Sequence, residues 1–340
     1  MIISKTPCRI SLVGGGSDLP DFYLKYGGAV LSTSIDKYIY VAVNPKFDHH
    51  IRLSYSQTEE VDTISEIRHP ILREVLKMLN VTGIELTSIA DIPSQGTGLG
   101  SSSSFTVGVL NTLFAYAGRH ASPETLAELS ARIEIECCHQ PIGKQDHYAA
   151  AFGGLNLITF NSHESVTVSP IVCAPRTIQQ LQENMVLFYT GITRSASEIL
   201  GKQKAALNDG AAAVETTKSM ARLATELAHE LRRDNLDAVG EILHESWLLK
   251  RSIVDGVSND TIDQWYERAR KAGARGGKIL GAGGGGFLLL YASCDRHAAI
   301  ERALGELRRI PFSFDRDGSR IIFYNPDRAK GALNDAALVA

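Results

Sequence analysis

Residues 93–104 read Pro93-Ser94-Gln95-Gly96-Thr97-Gly98-Leu99-Gly100-Ser101-Ser102-Ser103-Ser104, and the apolar series Phe105, Val109, Leu113 and Tyr116 follows. Three alternate glycines, then four hydroxyls, then a helical period describe a backbone loop running into the first turn of a helix. Glycines let amides crowd around a ligand without Cβ obstruction. A helix start adds N–H donors and the positive end of a dipole, which together suit a phosphate. The serine hydroxyls can bond phosphate oxygens or a hydrated Mg²⁺. One helix cap needs a single serine, so four of them exceed what capping requires. Gly96 to Ser104 are therefore read as phosphate-binding positions.

Two familiar phosphate motifs are excluded. A Walker A loop needs a lysine, and none lies between Gly96 and Arg119. Gly281-x-Gly283-x-x-Gly286 has the spacing of a dinucleotide fingerprint, but the strand-like run Phe287 to Tyr291 follows the glycines instead of preceding them.

The elements that must position this loop change texture along the chain. In the first half, residues 28–43 read as two strands with a turn near Asp36-Lys37. His50 to Tyr55, Gly83 to Ile92 and Leu155 to Phe160 read as further strands. Helices are expected over Pro70–Leu79, from the serine loop to about Ala117, and over 123–138, where Ser122-Pro123-Glu124 has the form of a cap. From about Ala211 to Ile253 the helical period dominates, broken near Asp234-Asn235. Helices follow over Asp260–Lys271 and Arg296–Arg308, and a hairpin turn is read at Asp315 to Ser319 between Pro311–Phe314 and Ile321–Tyr324.

A length of 340 residues exceeds the usual single-core size, so two domains are expected. A hydrophobic share of 44% and a charged share of 21% mark an ordinary globular protein. A net charge of −3 and no Lys/Arg run longer than two offer nucleic acid or an anionic membrane no general attraction. No signal-peptide pattern opens the sequence and no apolar run is long enough to span a bilayer, so a cytoplasmic protein is expected. The five cysteines form no Cys-x-x-Cys pair and are read as reduced, with Cys137 and Cys138 as packing residues. His49, His50 and His139 have no zinc-site spacing.

Two further segments resemble the serine loop in their glycine content: Pro7-Cys8-Arg9-Ile10-Ser11-Leu12-Val13-Gly14-Gly15-Gly16-Ser17-Asp18 and Lys278-Ile279-Leu280-Gly281-Ala282-Gly283-Gly284-Gly285-Gly286-Phe287. In this order the three resemble the motifs of the GHMP kinase superfamily, the central one being similar to its Pro-x₃-Gly-Leu-Gly-Ser-Ser nucleotide motif, which implies that Pro93 and Gly96 to Ser104 bind the nucleotide. The first motif, with Gly143-Lys144-Gln145-Asp146 and Thr190-Gly191-Ile192-Thr193-Arg194-Ser195-Ala196, is similar to the D-glycero-D-manno-heptose 7-phosphate kinases. Galactokinases carry Gly-Glu-His-x-Asp where this chain has Gly15-Gly16-Ser17-Asp18.

The resemblance implies a two-lobed α+β fold, with an N-terminal domain like ribosomal protein S5 domain 2 and a ferredoxin-like C-terminal domain, placed here at 1–175 and 176–340. It implies ATP and Mg²⁺, and a kinase acting on the anomeric hydroxyl of D-glycero-D-manno-heptose 7-phosphate for nucleotide-heptose and surface-polysaccharide synthesis. Asp146 matches the catalytic aspartate and Arg9 the basic residue beside the reacting hydroxyl. Glu134, twelve positions before Asp146, matches the metal-binding glutamate paired with Ser102; Glu136 is expected on the solvated face. Gly15, Gly16, Ser17, Asp18, Lys144, Thr193, Arg194, Gly283 and Gly284 fall to the substrate side, with Lys202 a further cation for a substrate phosphate. Competing readings are a fucokinase-like or other sugar 1-kinase, separated by offering unphosphorylated sugars, and a non-catalytic sugar- and ATP-binding regulator, separated by binding without product. Partners are thus a sugar phosphate and ATP, with a homodimer left open.

Overall fold

The computed structural model of the chain describes residues 1–93, 96–193 and 196–326. Two long strands carry its first half. β1 (Ile2–Val13) and β2 (Gly28–Pro45), linked through helix α1 (Pro20–Tyr26), pair antiparallel over most of their length. The expected turn at Asp36-Lys37 is absent and β2 runs through it. The register passes from Pro7↔Tyr38 to Cys8↔Ile35, so the extra pair bulges out and bends the strand without ending it.

Strands β3 (Ile51–Ser54), β4 (Thr58–Val61), β5 (Ile84–Ala90), β6 (Leu155–Phe160) and β7 (Val166–Pro170) extend this sheet. β12 (Phe314–Asp315) and β13 (Arg320–Tyr324) complete it to nine strands, in the order β13-β1-β2-β5-β3-β4, with β12 and β6 also on β2 and β7 on β6. β12 and β13 do not pair with each other as the expected hairpin does. The turn between them is pressed onto the chain around Ala151, where a Cβ on Gly318 would stand 1.9 Å from the Ala151 carbonyl oxygen, and the two strands take different partners. The closing strands, expected with the second domain, therefore belong to the first sheet.

The helices of this lobe are α2 (Pro70–Leu79), α3 (Ser101–Tyr116), α4 (Pro123–Arg132) and α5 (Gln145–Phe152). Ser122 Oγ caps α4 by accepting from Thr125 N at 3.2 Å, with Pro123 in the first turn. The helix expected to reach 138 loosens instead into a π-helical turn over Ile133–Cys137. Such turns rotate the side chains they carry out of α-helical phase.

The second half runs α6 (Pro175–Glu183), β8 (Met185–Tyr189), α7 (Ala196–Asp209), α8 (Ala211–Arg232), α9 (Asp237–Ile253), α10 (Asp260–Lys271), β9 (Gly276–Ile279), β10 (Phe287–Tyr291), α11 (Cys294–Ala303) and β11 (Arg308–Ile310). Its antiparallel sheet has the order β11-β8-β10-β9, which is the ferredoxin-like 4-1-3-2 arrangement. α11 stops before the expected Arg308, because the chain turns there to supply the edge strand β11 and buries Leu304 and Leu307. β10 explains why a second core exists. Its period of two sends Phe287, Leu289 and Tyr291 to the main core and Leu288 and Leu290 to another containing Trp247 and Tyr266. Cys138 packs against the main core, whereas Cys137 is exposed, contrary to expectation.

Candidate active site

The first and third glycine segments and the serine loop meet around a cleft of about 650 Å³. Two of them touch backbone to backbone. Gly98 (φ +75°) and Gly281 (φ +66°) lie so close that a Cβ on Gly98 would stand 2.5 Å from Leu280 O, and one on Gly281 2.4 Å from Gly98 Cα. Only residues without a Cβ allow this approach. α3 begins at Gly100, itself at φ +74°, and no side chain caps it. Its first turn therefore opens on the cleft, lined by Ser101, Ser102 and Ser103.

Arg9, on β1, and Asp146, in the first turn of α5, form a two-pronged pair beneath that helix start. Arg9 Nε donates to Asp146 Oδ1 at 2.7 Å and Nη2 to Oδ2 at 2.6 Å, while Nη1 reaches Gly98 O at 2.7 Å. A planar guanidinium fixes a carboxylate in this way and lysine cannot. Arg9 is 3% exposed, so the pair is held out of bulk water on one side. Gly100 makes room for it: a Cβ there would lie 3.2 Å from Asp146 Oδ2.

Glu134 sits in the π-helical turn and is buried, whereas Glu136 is exposed. Ser102 Oγ donates to Glu134 Oε2 at 2.9 Å, Thr106 Oγ1 to Oε1 at 2.7 Å, and His147 Nε2 stands 3.2 Å from Oε1. Burial pushes the Glu134 carboxyl up, but the bonds from His147, Thr106 and Ser102 outweigh it and hold it below the usual carboxylate range. An ionised oxygen beside a serine hydroxyl fits a hard cation that keeps most of its own water. Among the described residues no cluster of three His, Cys, Asp or Glu side chains offers a cage of protein ligands.

Asp18 is 2% exposed, and burial, then Asp146, push its carboxyl above the usual range. It accepts from Gly16 N (2.9 Å), Gln145 N (3.1 Å) and Gln145 Nε2 (3.0 Å), so it braces the cleft wall as well as lining it. Of the residues expected on the substrate side, Gly15, Gly16, Gly283 and Thr193 line the cleft. Other expected positions do not. Ser17 Oγ lies within 2.8 Å of Gly14 O and 3.0 Å of Ala29 O, and accepts from Ala29 N, so it builds the turn. Ser104 Oγ is spent on Pro7 O at 2.9 Å, and Gly284 N on Val257 O at 2.8 Å. Leu99 is fully buried and Pro93 exposed at the loop's edge. Lys144 Nζ lies over the Tyr23 ring, 5.1 Å from its centroid, and Lys202 pairs with Glu198 on the surface. Arg194 lies outside the described residues.

Sequence reading did not single out two buried lysines. Lys250, on α9, is 5% exposed, lines the cleft and donates to Gly281 O. Burial, then Arg9, pull its ammonium down to about 8, against the opposing pull of Asp18 and Asp146. Lys278, on β9, is buried and donates to Ser11 O (2.9 Å) and Leu12 O (3.1 Å), tying the small sheet to the end of β1. In sequence Lys250 is followed by Arg251 near a helix end, which is the pattern of a solvated basic turn; nothing there marks it as buried.

Two family models match the chain, "GHMP kinases N terminal domain" over residues 66–154 and "GHMP kinases C terminal" over residues 227–310. A D-glycero-alpha-D-manno-heptose 7-phosphate kinase of Campylobacter jejuni is 30% identical over 93% of this chain and 97% of that protein. The bifunctional fucokinase/GDP-fucose pyrophosphorylase of Arabidopsis thaliana is 25% identical over 84% of this chain, though over only 29% of its own greater length. Among solved structures, a D-glycero-D-manno-heptose 1-phosphate kinase from Bacteroides thetaiotaomicron superposes with a TM-score of 0.77 at 24% identity, covering 96% of this chain and all of that one. The chain belongs to the GHMP kinases and is a kinase of that family's two-part fold.

Proposed function

We propose that this cleft transfers the γ-phosphoryl group of ATP to the anomeric hydroxyl of D-glycero-D-manno-heptose 7-phosphate, giving the 1,7-bisphosphate for nucleotide-heptose and surface-polysaccharide synthesis. The observation that carries the reading is the Arg9–Asp146 pair set under the open start of α3. Phosphoryl transfer asks for a placed hydroxyl and neutralised charge more than for strong base catalysis. Asp146 has both oxygens pinned by Arg9 yet keeps lone pairs for an acceptor O–H. As the new O–P bond forms and the bond to the bridging oxygen of ADP breaks, the proton passes to Asp146. Arg9 and Lys250 bear on the charge of the moving group, and the α3 amides and Gly96 to Ser103 suit the remaining phosphates. Ser102 and Glu134 would hold Mg²⁺, which would supply positive charge against the phosphates.

The names of the relatives support a heptose phosphate but differ over whether position 1 or 7 carries the phosphate. The test is release of ADP across D-glycero-D-manno-heptose 7-phosphate, the corresponding 1-phosphate, free heptose, L-fucose and D-mannose 6-phosphate. Fastest turnover with the 7-phosphate is expected. Preference for an unphosphorylated sugar would transfer the assignment to a fucokinase-like 1-kinase.

A further inference from the structure

Among the described residues, four buried polar atoms of the cleft's lining side chains have no hydrogen-bond partner; Thr97 Oγ1 is one, and the other three are Ser11 Oγ, Gln145 Oε1 and Gln203 Nε2. Ser11 and Gln203 are each 3% exposed. All three surround the same short turn. The Cβ position of Gly15 is 3.5 Å from Ser11 Oγ and 4.0 Å from Gln145 Oε1, and that of Gly16 is 2.2 Å from Gln203 Nε2. Buried polar groups are nearly always paired, so three orphans around one turn of one cleft mark a place where a ligand supplies the partners. From these positions we infer that Ser11, Gln145 and Gln203 read neighbouring hydroxyls of the acceptor sugar. This rests on the sugar-kinase reading above.

The chemistry of the wall separates a polyol from an anion. Asp18 takes the Gln145 amide nitrogen, which leaves the amide oxygen as a buried acceptor without a partner. Gln203 presents a donor, and Ser11 serves as either. A sugar hydroxyl donates and accepts at once and can satisfy all three. A phosphate has only acceptor oxygens and would meet both Gln145 Oε1 and the Asp18 carboxylate. The sugar's own phosphate therefore lies elsewhere in the cleft. Gln203 comes from α7, in the other half of the chain from the turn that it touches. Sugar binding thus ties α7 to the glycine turn of the first lobe.

The experiment compares wild type with Ser11→Ala, Gln203→Met and Gln145→Met, using the panel sugar that wild type prefers and its 2-, 3- and 4-deoxy analogues. Thermal unfolding first shows that each variant is folded, and calorimetry of sugar binding without nucleotide gives a second measure. Each variant is expected to raise KM and Kd for the sugar about tenfold and leave KM for ATP within about twofold. Wild type should also discriminate against one deoxy analogue that Gln203→Met accepts as well as the parent sugar. If wild type turns over a sugar but the variants keep its affinity and its deoxy preference, bound water fills these positions and the inference falls alone. If wild type phosphorylates no sugar, the functional reading falls and takes this inference with it.

Discussion

Asp146 and Arg9 show how much chemistry a single pair can carry. Replacing Asp146 by Asn keeps the size and one acceptor but removes the proton's destination. Turnover should fall by about 10²–10⁴, while the dissociation constant for nucleotide, measured by calorimetry, stays within about threefold. Lys250 makes a different prediction because its charge is itself variable. Its ammonium, pulled down to about 8, faces Arg9, Asp18 and Asp146 and lies near the buried Lys278. If turnover needs the cation, kcat falls as pH rises through about 8. Lys250→Arg, which does not titrate there, should push that fall to higher pH, and Lys250→Met should lower kcat across the range. The same shift acts on stability with a definite sign. Between about 8 and the ordinary lysine value of 10.5 the unfolded chain binds a proton that the folded chain has released. This group therefore raises stability with rising pH in that window and not below it. Urea melts at pH 7.5 and 10 would show the contribution, and Lys250→Met should remove it.

At the scale of elements, the glycines decide whether the loops can meet. Gly98 and Gly281 combine a left-handed backbone with a contact of 2.5 Å or less to any added Cβ. Gly98→Ala should cost about 1–3 kcal/mol in strain alone, read as a lowered urea midpoint, and weaken ATP binding because the loop no longer closes on Leu280. An unchanged nucleotide Kd in a folded Gly98→Ala protein would disconnect the loop from the triphosphate. The π-helical turn at Ile133–Cys137 is equally local and equally consequential. It sets Glu134 toward Ser102 and Thr106 while Glu136, two residues on, faces solvent. Sequence spacing separated these two glutamates because helical geometry puts near neighbours on different faces. It did not foresee the change of helical type.

For the whole molecule, β10 is the shared wall of two cores, so damage to either should be felt as one transition. Trp247 is fully buried in the second core. Trp247→Ala should destabilise the protein by about 3–5 kcal/mol, measured by circular dichroism in guanidinium. Two separate unfolding steps would show that the cores are independent. Strands β12 and β13 strengthen the expectation of a single unit, because the chain's last described strands return to its first two.

The local part of this protein was legible in the linear chain. Ser122-Pro123, the serine-rich start of α3 and the glycines of the three motifs act through their own backbone or their next few neighbours, and short-range chemistry leaves its mark in short-range sequence. Arg9, Asp146, Glu134 and Ser102 were singled out by their motifs, and the fold pairs Arg9 with Asp146 and Ser102 with Glu134. Only the folded chain decided that Asp36-Lys37 bulges instead of turning, that the final strands join the first sheet, and that Lys250, Gln203 and Ser11 face one cleft. Those outcomes depend on which distant surfaces share a core. Burial of a lysine or an orphaned amide is a property of neighbours hundreds of residues away, and no local pattern records it.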